Sequence, residues 1–118
     1  MAPDDPHGIP RPIDLGAGTG IGPLWGMASD DLNATLLAWP AAHQVAEHVN
    51  AELDVFVVVL AGSATLTIDA RSHALTSGRA ILIPRGARRA IRAGSGGVRY
   101  LSIHRRRGLL QIDGAPAP

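Results

Sequence analysis

The sequence predicts a single all-β domain, a sandwich or a barrel. Three observations carry that expectation. From Asn33 onward the chain is a succession of short β-branched or alternating segments, turn signals separate them, and no helical rhythm runs between them to build βαβ units. At 118 residues there is room for one hydrophobic core and not for two. The domain is expected over residues 12–113. A Pro- and Gly-rich segment, 1–11, and an Ala/Pro tail, 114–118, are expected to be flexible.

The elements follow in order. Between Ile13 and Trp25 the chain is rich in glycine with little periodicity, which predicts a loop. Strands are predicted over 33–38, 55–60, 63–68, 72–75, 80–83, 88–92 and 98–104. Thr65, Thr67 and Asp69 alternate with Leu66 and Ile68, as in a strand with one face in the core. Turns are predicted at Ala61-Gly62, Asp69-Ala70, Ser77-Gly78, Pro84-Arg85-Gly86 and Gly94–Gly97. The one helical candidate, Ala41–Glu47, is short and follows Pro40.

Composition removes several function classes. There is no cysteine, so disulfides, zinc-thiolate sites and thiol catalysis are excluded. No apolar run reaches the length of a membrane span, and the N-terminus lacks the basic and apolar regions of a signal peptide, so a cytoplasmic protein with no membrane partner is expected. The net charge of +1 hides an asymmetry: residues 1–54 carry eight acids and only Arg11, whereas residues 55–118 carry ten arginines and only Asp69 and Asp113. All eleven basic residues are Arg. GC-rich coding accounts for most of them, since Arg79, Arg85, Arg88 and Arg105–Arg107 fall in predicted turns or at strand ends; a need for fixed, forked donors is the sharper cause. The run His104–Arg107 suggests nucleic acid, but one Phe, one Tyr and two Trp offer no stacking platform. A basic sheet edge explains the run as well, and no nucleic-acid partner is expected.

Ile13–Gly22, IDLGAGTGIG, resembles the glycine-rich loop of Rossmann-like methyltransferases. That loop needs a strand before it and a helix after it. Pro10 and Pro12 precede it here, and Pro23 and Gly26 follow, so a structural loop is expected.

Gly78–Arg92, GRAILIPRGARRAIR, places Pro84 six residues after Gly78 and Gly86 two further on. This resembles the second motif of the cupins, G-x5-P-x-G-x2-H-x3-N. His48–Gly62, HVNAELDVFVVVLAG, lies where the first motif, G-x5-H-x-H-x3,4-E-x6-G, belongs. The resemblance covers about residues 36–104. It implies a double-stranded β-helix, or jelly-roll barrel, a divalent metal held by three His and one Glu, and a homodimer, since strands at the rim commonly pair in the family. The chain departs from the motif at the ligands. His48 stands at the first His, Asn50 at the second, Asp54 near the Glu with one extra residue before Gly62, and Arg89 at the last His.

The departures shape the functional expectations. His48, Asn50, Glu52 and Asp54 are spaced by two and would share one face if extended, as a solvated edge or a polar lining. The extra residue before Gly62 could be a bulge that re-aims side chains. A metal (Fe, Mn, Ni or Zn) could use His48 and Asp54 with His43 or His104. A fixed cation at Arg89 opposes it, and no cofactor is favoured. Arg89 could instead pair internally with Asp54 or Glu52, anchor an anionic ligand, or point outward.

The expected pocket comprises His48, Asn50, Asp54, Arg89, Tyr100 and His104, the last two sharing a strand face with Ser102. It would serve a barrel that binds a small, possibly anionic molecule. An enzyme could use the same pocket, through a metal or through metal-free isomerase- or cyclase-type chemistry with His48 as general base and Arg89 stabilising negative charge. A structural module with a filled barrel is the third alternative. Trp25 and Trp39 are expected to cap the barrel, with Trp39 able to touch a ligand. His43 and His73 are expected at the surface, and Ser63, Ser77 and Ser102 lack a nucleophile's context.

Overall fold

The computed structural model describes residues 11–106. Positions 1–10, the 107–113 end of the expected domain and the tail 114–118 lie outside the described residues. Seven antiparallel strands form: β1 (Gly22–Ala28), β2 (Leu32–Trp39), β3 (Gln44–Val49), β4 (Val55–Ile68), β5 (Arg71–Thr76), β6 (Ala80–Ile83) and β7 (Arg88–Arg105). No helix occurs among the described residues, and hence none long and apolar enough to cross a membrane.

The sheet order is β1-β2-β7-β4-β5, with β3 added to β7 and β6 added to β4. β4 and β7 are long enough to serve both layers of the jelly roll. Their 55–59 and 100–104 portions pair with each other and with β6 and β2; their 64–68 and 89–93 portions pair with each other and with β5 and β3. Where the two strands bend together the register shifts at Val59/Ala61 and again at Gly62/Ala64. Two glycines make the bend possible. Gly62 and Gly97 have φ of 74° and 78°, and a Cβ on Gly62 would collide with the Gly97 carbonyl.

This corner corrects two turn expectations. Ala61-Gly62 and Gly94–Gly97 do not end strands, so the segments 55–60 and 63–68 are one strand, as are 88–92 and 98–104. The helical candidate Ala41–Glu47 is also corrected: it is a turn followed by the start of β3. Ala42 N–H donates to the Gly94 carbonyl and Ala93 N–H to the His43 carbonyl, so pairing across the fold overrides a weak local preference. The loop predicted between Ile13 and Trp25 is corrected at its end, where β1 begins at Gly22: Pro23 and the glycines mask its alternation, and it pairs with β2 through a bulge between Pro23 and Trp25.

The other turns form as expected. Ile68 and Arg71 pair around Asp69 and Ala70, whose φ of 47° and 69° are those of a type I′ hairpin. The glycine-rich segment is a structural loop. The Asp14 carboxylate accepts from Gly16 N–H at 2.9 Å, and the Arg99 guanidinium donates to the carbonyls of Leu15, Ala17 and Gly18 at 2.8–3.0 Å.

Alternation then sorts the side chains. Val55, Val57 and Val59 of β4, Tyr100 of β7 and Ile83 of β6 face inward and join Leu66, Leu75 and Ile91 in the core. The opposite face of the same strands carries two uncharged rows. Leu82, Phe56, Ile103, Ala34 and Met27 are successive partners in one, and Ala80, Val58, Leu101, Leu36 and Trp25 in the other.

Candidate functional site

One end of the barrel is hollow. The cavity measures about 220 Å³, and most of its wall is aliphatic: Val55 and Val57 from β4, Leu66, Ile83, Ile91 and Leu37. Its polar groups are few: His48, Arg89, Tyr100, Ser102 and the indole of Trp39. Each is placed by strand phase. Tyr100 and Ser102 alternate with outward Leu101 on β7, and Trp39 follows inward Leu37 on β2. His48 and Arg89 are cross-strand partners of β3 and β7.

Arg89 is the centre of the site. Its Nε–H donates to His48 Nε2 at 3.0 Å. His48 Nδ1 lies 3.0 Å from the Ala46 carbonyl and so carries the ring hydrogen, which leaves Nε2 as the acceptor that Arg89 uses. Among the described residues, the buried Arg89 Nη1 has no hydrogen-bond partner. Burial pushes the guanidinium below its ordinary range, opposed by the nearby Tyr100 oxygen. Burial likewise pushes the Tyr100 phenol up, opposed by its hydrogen bond with Trp39 and by the charge of Arg89. That bond runs from Trp39 Nε1–H to the Tyr100 oxygen at 3.1 Å, and the indole stacks on His43 with ring centres 4.1 Å apart.

The structure gathers three of the six expected pocket residues, His48, Arg89 and Tyr100, and places the other three elsewhere. β3 ends at Val49, so Asn50, Glu52 and Asp54 do not continue His48's face. Asn50 Oδ1 instead accepts from the N–H groups of Glu52 and Leu53, closing a turn, and its carbonyl accepts from Gly86 N–H. Asp54 accepts from Arg85 N–H at 2.8 Å. Both residues therefore hold the Pro84–Gly86 turn, and neither pairs with Arg89. His104 faces the same way as Tyr100 but lies two residues past Ser102, against the Arg105 carbonyl, and does not line the cavity. His43 packs on Trp39, and His73 is half-buried on β5 opposite Leu66. Ser102 and Trp39 belong to the lining. The β7 alternation signals Ser102; nothing local signals that Trp39 bonds Tyr100, 61 residues away.

A divalent metal does not fit these residues. Among the described residues no three His, Asp or Glu side chains come together as a ligand set, so His48, Asp54 and His104 are not a site. Both ring nitrogens of His48 are engaged, and a guanidinium takes the place beside it.

No family model matches the sequence, and no curated protein does so. Solved structures do. The cupin domain of Schizosaccharomyces pombe Cnp3 superposes with a TM-score of 0.67 at 18% identity, covering 78% of this chain and 70% of that one. KdgF from a Halomonas species gives 0.67 at 16% identity, covering 75% and 81%. BH2720 of Bacillus halodurans gives 0.69 at 22% identity, covering 86% of each chain.

Proposed function

The chain has the cupin jelly-roll fold, and we propose that it binds a small organic anion in the barrel without needing a metal. One observation carries this reading: Arg89 lines an apolar-walled cavity, and its Nη1 is buried with no partner among the described residues. A buried donor left unsatisfied costs about 1–3 kcal/mol, and a carboxylate oxygen satisfies it while neutralising the charge. The aliphatic wall calls for an apolar body behind that carboxylate.

Binding is favoured over acid–base catalysis because the lone pair of His48 that a general base would use is already taken by Arg89. A hollow of about 220 Å³ is at odds with a filled structural barrel.

Volume sets the size of ligand. A 150 Å³ apolar cavity takes benzene, so this one holds roughly nine non-hydrogen atoms, the size of benzoate. Titration calorimetry with benzoate tests the proposal. The intact chain binds it, and Arg89→Met weakens binding about tenfold to a hundredfold, the loss of a charged hydrogen bond. Equal affinity in Arg89→Met, or no carboxylate binding by the intact chain, overturns the assignment.

A further inference from the structure

The cavity has a second directed donor. Trp39 Nε1 can only donate, so in its 3.1 Å contact the Tyr100 oxygen is the acceptor. The phenol hydrogen is thereby left over, and among the described residues no acceptor for it is recorded. Tyr100 is 7% exposed and lines the cavity together with Arg89, so that hydrogen has the cavity to point into. The indole is itself held by its stack on His43, which fixes the direction from which the phenol oxygen is approached.

We propose that the Trp39–Tyr100 pair is a specificity-determining contact that selects monocarboxylates bearing a second acceptor oxygen, a keto or hydroxyl group, on an otherwise apolar body. The inference rests on the Arg89 anchor proposed above and adds a second point of recognition to it. With the carboxylate on Arg89, a purely hydrocarbon body leaves the phenol hydrogen without an acceptor in a mostly aliphatic chamber. A ligand oxygen at that point satisfies it. Ser102 lines the same cavity and can donate or accept, so a ligand hydroxyl placed there can give its own hydrogen away. An amine in the same place would bring a second donor towards Tyr100 and a second cation towards Arg89, and is selected against.

Paired probes of matched shape test this: isocaproate against α-ketoisocaproate, and benzoate against meta-hydroxybenzoate, each titrated into the full chain by calorimetry. The oxygen-bearing member of at least one pair binds about threefold to tenfold tighter, the worth of one hydrogen bond. Tyr100→Phe abolishes that preference. Trp39→Phe leaves the phenol free to rotate and reduces the preference without abolishing it. Circular dichroism checks that both variants are folded. A preference that survives Tyr100→Phe, or carboxylates that bind through Arg89 with no preference in either pair, overturns this inference and leaves the anchor standing. Binding of every probe unchanged by Arg89→Met overturns the anchor itself.

Discussion

Replacing Arg89 by Met in the unliganded protein should leave stability almost unchanged, which is unusual for a charged group aimed into a barrel. The substitution removes the bond from Arg89 Nε to His48 Nε2. A hydrogen bond to a charged group contributes about 1.5–3 kcal/mol, and this one sits beside an exposed His48 that water can serve instead, so the lower figure applies. The substitution also removes the buried, unpartnered Nη1, which relieves about 1–3 kcal/mol. The two sides cancel to within about 1.5 kcal/mol, or at most about 6 °C in melting temperature for a domain of this size. Urea unfolding followed by Trp fluorescence and circular dichroism measures it. A loss of 3–5 kcal/mol, the signature of a broken buried ion pair, would show that an acid compensates Arg89 and would refute the unpaired cation.

Four further outcomes follow. Tyr100 is the only tyrosine of the chain, so alkaline difference absorbance reports it alone. Its phenol should ionise above the ordinary value of 10.0, and higher still in Arg89→Met, which loses the attraction of the guanidinium. The native state then keeps a proton that the unfolded chain releases, so stability should fall as pH rises from the ordinary phenol range to the folded value; a stability rising over that window would contradict the burial. Gly97→Ala forces a Cβ to 2.8 Å from the Trp39 carbonyl at φ 78° and should cost at least about 2 kcal/mol in the same unfolding assay, whereas a neutral result would mean that the corner is loose. Ala70→Gly should stabilise by about 0.5–1 kcal/mol, because Ala70 sits at φ 69°; destabilisation would show that the unfolded chain's entropy dominates. We propose that the expected homodimer buries Phe56 and Leu82, which are 42% and 53% exposed on β4 and β6, so sedimentation should give a dimer for the chain and a monomer for Leu82→Arg; a monomeric intact chain would refute it.

The fold was legible because strand alternation and the Gly78–Gly86 spacing are local. The β4 and β7 corners were not, since Gly62 and Gly97 look like turn residues until their mutual approach is seen. The site was legible only where it lies within a strand or across one pair: Tyr100 and Ser102 by alternation, His48 and Arg89 by register. Asn50 and Asp54 misled because their motif positions fall in a turn, where short polar side chains cap backbone N–H groups instead of facing the barrel. Arg99, one of ten arginines in its half of the chain, fastens the glycine-rich loop by three carbonyls, and nothing in its neighbourhood sets it apart.

The shared strands have a mechanical consequence. β4 supplies the cavity with Val55 and Val57 before its bend and Leu66 after it, and β7 supplies Tyr100 and Ser102 after its bend and Arg89 and Ile91 before it. Opposite walls of the chamber are therefore two portions of the same pair of ribbons, joined at a glycine hinge too tight to splay. Such a vessel does not part along a seam. A push on one wall reaches the other through an unbroken backbone.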